Sequence, residues 1–192
     1  GALRELFAEY GKPDVIGLTG QMHGMLYVNA AGEAVSPLYT WEDGSGNRLL
    51  KNGQTCAELL KEQVGTAASG YGLTTHYYLQ QTGRIPREAV KMTTISDYIA
   101  MKLTGNREPV IAADMAASWG CFDLERGTFS LDKLRAVGAD VSYLPPVCAS
   151  HCVIGRTAEG IPVVCSMGDN QASVAGTLQD LQDTLVHNIG TG

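Results

Sequence analysis

No run of lysine or arginine marks these 192 residues, whose formal net charge is -6. A protein that grips a phosphate backbone needs clustered cations, so their absence argues against nucleic acid as a partner. No apolar stretch approaches the roughly 20 residues of a membrane-spanning helix, so a bilayer is not an expected partner either. The opening GALRELFAEYGK is charged and helical in pattern, unlike a signal peptide, and the expected compartment is the cytoplasm. Cysteine is sparse. Cys56, Cys121, Cys148, Cys152 and Cys165 form an odd, scattered set, which predicts reduced thiols rather than a disulfide framework. Cys148 and Cys152 lie four apart around His151, but no second ligand pair at zinc-finger spacing accompanies them, so no metal site is assigned. Internal repeats and low-complexity tracts are missing as well.

What is present is an ordinary globular balance, with 44% hydrophobic and 18% charged residues. The length allows one large domain, or one domain and a piece of a second. Residues 2–10 have a helical period closed by Gly11-Lys12-Pro13-Asp14, and Val15 to Leu18 read as a short buried strand leading to Thr19-Gly20. Strand character returns at 25–30 and 36–41, a helix is expected around 45–64, and 65–72 carries too much Gly and Ser for regular structure. A further helix is expected over 74–81, capped by Thr74 or Thr75. A strand at 91–95 precedes a helix capped by Ser96 and ended by Gly105. After a short helix at 131–137, Pro145-Pro146 marks a change of character. Strands at 153–155 and 162–166, a helix at 170–178 and a strand at 184–189 follow. The fold class is α/β, with a domain change between about 150 and 165 that divides the chain into 1–155 and 156–192.

Four segments offer chemistry. In Pro162 to Ala172 an apolar strand ends in Gly168 and Asp169 stands where a helix begins, the edge of a sheet where ligands gather. A bare N-cap would explain Asp169 alone, but not the glycine before it or the amide pair after it. Thr19 to Gly24 places Gln21, Met22 and His23 between glycines directly after a strand. Thr40 to Gly44 sets Trp41 beside Glu42 and Asp43, an aromatic face next to acceptors of the kind that hold sugars. At the end, Asn188-Ile189-Gly190-Thr191-Gly192 is a glycine turn whose amides and Thr hydroxyl suit phosphate oxygens, without the Gly-Lys-Ser/Thr of a P-loop.

Taken in order, TGQMHG (19–24), TWEDG (40–44), SDYIAMKLTG (96–105), DMAASWGCFD (114–123), GDNQAS (168–173) and NIGTG (188–192) carry a resemblance along nearly the whole chain. The chain resembles the FGGY family of carbohydrate kinases, which share the actin-like, ribonuclease-H-like ATPase fold. TGQMHG is similar to the ketose-kinase version of the first sugar loop, as in xylulokinases. In glycerol kinases an Arg-Glu pair occupies the positions of Met22 and His23. The run AASWG (116–120), with the Trp-Glu-Asp-Gly turn, is most similar to sedoheptulokinase.

The resemblance implies an ATP-dependent phosphotransferase acting on a ketose hydroxyl, with ATP and Mg²⁺ required. It implies Asp169 as catalytic base, Gln21, Met22, His23, Trp41 and Asp43 on or next to the sugar pocket, and Gly190 and Thr191 on the second phosphate loop. The family's opening strand with its Asp-x-Gly-Thr loop, and everything after Gly192, are not among these residues. The resemblance therefore implies a fragment of the actin-like fold that folds but does not catalyse alone. Its strands at 162–166 and 184–189 would present unpaired edges, which predicts a homodimer. Two rival readings remain, a non-catalytic sugar-binding module and a structural or regulatory domain of the same fold; binding of free ketose separates them.

Overall fold

Short strands and helices alternate along the chain, and the helices that begin at Cys56 and Ile95 are each started by a capping threonine. The structure, a computed structural model, describes residues 2–178. In chain order the elements are α1 (Ala2–Tyr10), β1 (Thr19–Gly20), β2 (Leu26–Val28), α2 (Cys56–Gln63), α3 (Gly72–Gln81), β3 (Lys91–Thr93), α4 (Ile95–Thr104) and β4 (Ile111–Ala112). They continue with α5 (Ala113–Ser118), β5 (Phe122–Asp123), β6 (Thr128–Phe129), α6 (Leu131–Ala136), β7 (Val147–Cys148), β8 (Val153–Arg156), β9 (Pro162–Val164), β10 (Met167–Gly168) and α7 (Asp169–Thr177). The strand expected at 184–189 lies outside the described residues.

The helix expected around 45–64 is broken. A 3-10 turn at Gly44–Asn47 comes first, Leu49 then bridges Thr55, and only α2 is α-helical. Thr55 fixes that start through a capping box: its hydroxyl accepts from the Glu58 N–H while the Glu58 carboxylate accepts from the Thr55 N–H. The next helix begins two residues earlier than expected, with Tyr71 at its cap and Thr74 and Thr75 buried inside it. Every residue from Gly72 to Leu79 is buried, so α3 runs through the core instead of lying on it. Gly72 makes this possible, because a Cβ there would stand 2.7 Å from the Trp119 indole. Thr94, not Ser96, caps α4 by accepting from the Asp97 N–H at 3.0 Å. Gly105 ends α4 in the left-handed conformation at φ 74°, as expected.

Two apolar cores result. The larger gathers Met25, Tyr27, Leu60, Leu73, Met92, Met115 and Trp119 around α3, roofed by the antiparallel pair β2–β3. The smaller consists of Ile16, Ala100, Ile161 and Val163, with Phe7, Leu18, Leu103 and Ile154 packed against it. It lies beneath a small mixed sheet. Ile16 to Gly20 runs parallel to 162–168, held by Ile16 N–H to Pro162 carbonyl at 2.9 Å and Met167 N–H to Leu18 carbonyl at 3.0 Å, and β9 pairs antiparallel with β8 on its other side. The parallel direction dictates what comes next: β1 and β10 end at the same edge, and the loops that follow them emerge side by side. Among the described residues, no helix is long and apolar enough to cross a membrane.

Candidate functional site

The register of β1 against β10 places Thr19 opposite Met167 and Gly20 opposite Gly168. One residue further along each strand stand Gln21 and Asp169. The site is tight at 168, where a Cβ would run into Gln171 Oε1 and stand 2.8 Å from the Met22 side chain. Met22 from the first loop and Gln171 from α7 therefore close over the same glycine. Gly168 caps α7 with no side-chain bond, and Asp169 is the first residue inside the helix. Capping does not account for Asp169. Its carboxylate is exposed, accepts from the Asn170 N–H at 2.9 Å, and faces the helix N-terminus, where a negative charge is favoured.

Among the described residues, Gln171 Oε1 is buried with no hydrogen-bond partner. A buried acceptor without a donor costs about 1–3 kcal/mol.

His23 turns back from the strand edge in the left-handed region at φ 71°, a conformation seldom adopted by non-glycine residues. Two bonds to Ser118 hold it there: its N–H donates to the Ser118 hydroxyl at 3.1 Å, and its Nδ1 lies 2.5 Å from the Ser118 carbonyl. A carbonyl only accepts, so Nδ1 is the donor in this pair and Nε2 is the nitrogen it leaves unused. Tyr71 stacks on the imidazole with centroids 4.5 Å apart and planes 1° from parallel. The chain neighbour of Ser118, Trp119, is fully buried and donates from Nε1 to the Gly24 carbonyl at 3.1 Å, clamping the other end of the loop.

Trp41 and Asp43 reach this cluster through the 65–72 loop. Gly70 takes φ 84°, and a Cβ on it would collide with the Trp41 carbonyl, so the two loops are in backbone contact next to Tyr71. Trp41 is 56% exposed, a free aromatic face and not a core residue. Asp43 serves its own turn: its carboxylate accepts from the Ser45 N–H at 2.9 Å, and its carbonyl accepts from the Ser69 hydroxyl at 2.9 Å. The fold thus links Asp169, Met22, His23 and Trp41 through Gly168, Tyr71 and Gly70, with Gln21 and Asp43 at the two ends of the row. Gly190 and Thr191 lie outside the described residues. Clefts of about 350 and 640 Å³, one lined between 123 and 135 and the other between 49 and 82, include none of these side chains.

Three participants escaped the reading of sequence. Asp97 is almost fully buried, and its two oxygens accept from the Thr94 hydroxyl at 2.7 Å and the Ser166 hydroxyl at 2.6 Å. Burial raises its pKa above the usual carboxylate value, against the lowering effect of the Ser166 and Thr94 hydrogen bonds. Asp97 pins the strand residue just before Met167-Gly168-Asp169 to the start of α4. A Thr-x-x-Asp spacing at 94–97 carried that signal. Ser118 and Tyr71 carried none, because their partners lie far along the chain.

The thiols also depart from expectation: Cys148 and Cys152 form a disulfide, while Cys56, Cys121 and Cys165 are free and buried.

Residues 8–186 match the family described as the FGGY family of carbohydrate kinases, N-terminal domain. Sedoheptulokinase of Mus musculus is 30% identical over 92% of this chain and 41% of its own length. Glycerol kinase of Methylobacterium nodulans is 28% identical over 100% of this chain and 41% of its own length. Among solved structures, a ligand-bound xylulose kinase from Lactobacillus acidophilus superposes with a TM-score of 0.74 at 20% identity, over 90% of this chain and 38% of that one. That likeness gives the fold, a part of the actin-like ATPase fold of the sugar kinases, as expected. The chain spans about two fifths of the length of the curated relatives it matches. It belongs to the FGGY family of carbohydrate kinases.

Proposed function

We propose that this chain supplies the sugar site and the base of an ATP-dependent kinase that phosphorylates a ketose hydroxyl. The observation that supports it most is the parallel register of Thr19–Gly20 with Met167–Gly168, from which Gln21 and Asp169 emerge on one sheet edge. In this reading Asp169 orients the acceptor hydroxyl and takes its proton as the oxygen meets the γ-phosphorus. An ordinary carboxylate suffices, because phosphoryl transfer has a loose transition state and the proton leaves late. Gln21 and the Nε2 of His23 bind sugar hydroxyls. Met22 shapes the floor beside Gly168, Trp41 offers an aromatic wall, and Asp43 holds the wall's turn.

ATP brings the phosphoryl group, and Gly190 and Thr191 are assigned to its phosphates. Mg²⁺ would draw mainly on phosphate oxygens and water, a donor set the nucleotide carries with it, and no residue of this chain is assigned to it.

Met22 and His23 stand where glycerol kinases place a charged Arg-Glu pair, so a ketose is the assigned acceptor, sedoheptulose or xylulose by the names of the relatives. The test is coupled ADP release by the full-length gene product with xylulose, ribulose, sedoheptulose and glycerol. A ketopentose or ketoheptose is expected to give the highest kcat/KM, because donors built for extra hydroxyls stay unpaired with glycerol. Glycerol as the best acceptor contradicts the assignment of substrate. ADP release with none of the four contradicts the kinase.

A further inference from the structure

Spacing along the sequence offers two thiols, Cys148 and Cys152. The fold supplies a third from a different strand: the Sγ atoms of Cys148, Cys152 and Cys165 all lie within 4.8 Å of one another. Three thiolates around a tetrahedral cation with bonds near 2.3 Å stand about 3.8 Å apart, so the sulfurs reach that geometry through small side-chain rotations once the disulfide is open.

Their backbones are fixed independently of the sulfur bond. Ala112 pairs with Cys148 in the β4–β7 register, Cys152 N–H donates to the Ala149 carbonyl at 3.2 Å, and Cys165 N–H donates to the Cys152 carbonyl at 2.9 Å. Reduction therefore leaves the three positions converging.

The surroundings are acidic. Asp114 accepts from the Ser150 hydroxyl at 3.3 Å within the turn between the paired cysteines. On the other side, Asp97 accepts from the hydroxyl of Ser166, the chain neighbour of Cys165. Carboxylates beside the sulfurs favour a cation held there. An entry path exists: Cys148 and Cys152 are half-exposed, and Ala149, Ser150 and His151 are at the surface.

We infer that Cys148, Cys152 and Cys165 form a three-thiolate site for one thiophilic cation of the Zn²⁺ class, with a solvent molecule in the fourth position. The disulfide is its closed, metal-free state. A dithiol reductant passes two electrons and two protons to the Cys148–Cys152 bond, giving two thiols and an oxidised dithiol. The cation then displaces the thiol protons to solvent as it binds. The site lies four residues before Asp169 on the chain, so a bound ion clasps the β7–β8 turn to the strand that leads into α7.

The experiment titrates Cd²⁺ into the reduced, chelator-stripped 192-residue chain, following the ultraviolet thiolate-to-cadmium band and the metal retained per chain after desalting. One Cd²⁺ per chain is expected, displaced by Zn²⁺, with none retained by the oxidised chain. Cys165→Ser and Cys152→Ser should each weaken binding at least about tenfold, a larger loss than second-shell changes usually cause at their mild end. Cys152 is half-exposed, so its variant remains informative if loss of the buried Cys165 harms folding, and Cys56→Ala should leave uptake unchanged. The inference is overturned by a fully reduced, folded chain that takes up no Cd²⁺. It is overturned equally by uptake that survives both serine substitutions, or by a disulfide that opens only when the chain unfolds.

Discussion

The two cores of the molecule differ in size and in what they carry. The larger surrounds a helix buried on every side and holds the loop assigned to the sugar, through Trp119 to Gly24 and Ser118 to His23. Among the described residues the smaller has four buried members, beneath the short sheet from which Asp169 emerges. Broad apolar burial stabilises the first region. The second depends more on backbone pairing and on one buried polar link, Asp97 to Ser166, that ties its strand to α4. Binding geometry is thus built into the rigid bulk, and the acidic residue stands on the more lightly held platform. Less buried apolar area means a lower cost of local opening, so the platform is the part expected to yield first.

Removing the indole of Trp119 should have the largest effect on stability. Trp119→Ala deletes a fully buried side chain stacked near Phe129 and leaves the Gly24 carbonyl without its donor. Chemical denaturation should show a loss of about 3–5 kcal/mol. A loss below that of any substitution in the small core would dissolve the contrast between the regions.

Asp97 is next. Asp97→Ala strands the buried hydroxyls of Thr94 and Ser166, for an expected loss of about 1–3 kcal/mol. Its titration has a definite sign. Burial raises the folded pKa above the unfolded one, so between the two values the folded state holds more protons. Stability contributed by this group is therefore lost as pH rises through that window, above the ordinary carboxylate range. Asp97→Asn should flatten that decline in denaturation curves collected across the window.

The large core contributes a gentler effect of opposite sign. His76 accepts from the Tyr27 hydroxyl at Nδ1 (2.6 Å) and donates from Nε2 to the Asp140 carbonyl (3.0 Å), so it is buried as the neutral ring. Burial lowers its pKa, against the raising influence of Asp140. As pH falls through the ordinary histidine value near 6.5, the unfolded chain takes up a proton that the folded chain refuses, and stability drops. The acid-side slope should diminish in His76→Gln. An unchanged slope would assign it to other groups.

Smallest of all is Ile16→Val. It removes one methylene from the small core, for about 0.5–1.5 kcal/mol by thermal or chemical unfolding. A larger loss would show that the platform is held as firmly by burial as the bulk.

Much of this was legible in the residues. The apolar runs at 15–18 and 162–166, each followed by a glycine turn, located these strand segments, and the ordered motifs identified the family. Local rules failed where a distant contact decided the outcome. Asn47 to Gln54 has enough helix-compatible residues to look continuous, but Thr55 offers a better start through its capping box. Ser96 was a plausible cap, yet Thr94 won because it bonds the Asp97 N–H and carboxylate together. The pairing of Thr19–Gly20 with Met167–Gly168 joins segments almost 150 residues apart in sequence, and no periodicity encodes it. The same is true of Ser118 beneath His23 and of Cys165 beside Cys148 and Cys152.

The central claim is that the strand edge presents Asp169 as a base to a hydroxyl held by the neighbouring loop. Asp169→Asn in the full-length gene product keeps the shape and the polar contact to the Asn170 N–H but removes the basic group. Turnover with the preferred ketose should fall by about two to four orders of magnitude, while ketose affinity measured by calorimetry stays close to that of the unaltered protein. Near-normal turnover in the Asn variant would contradict the account.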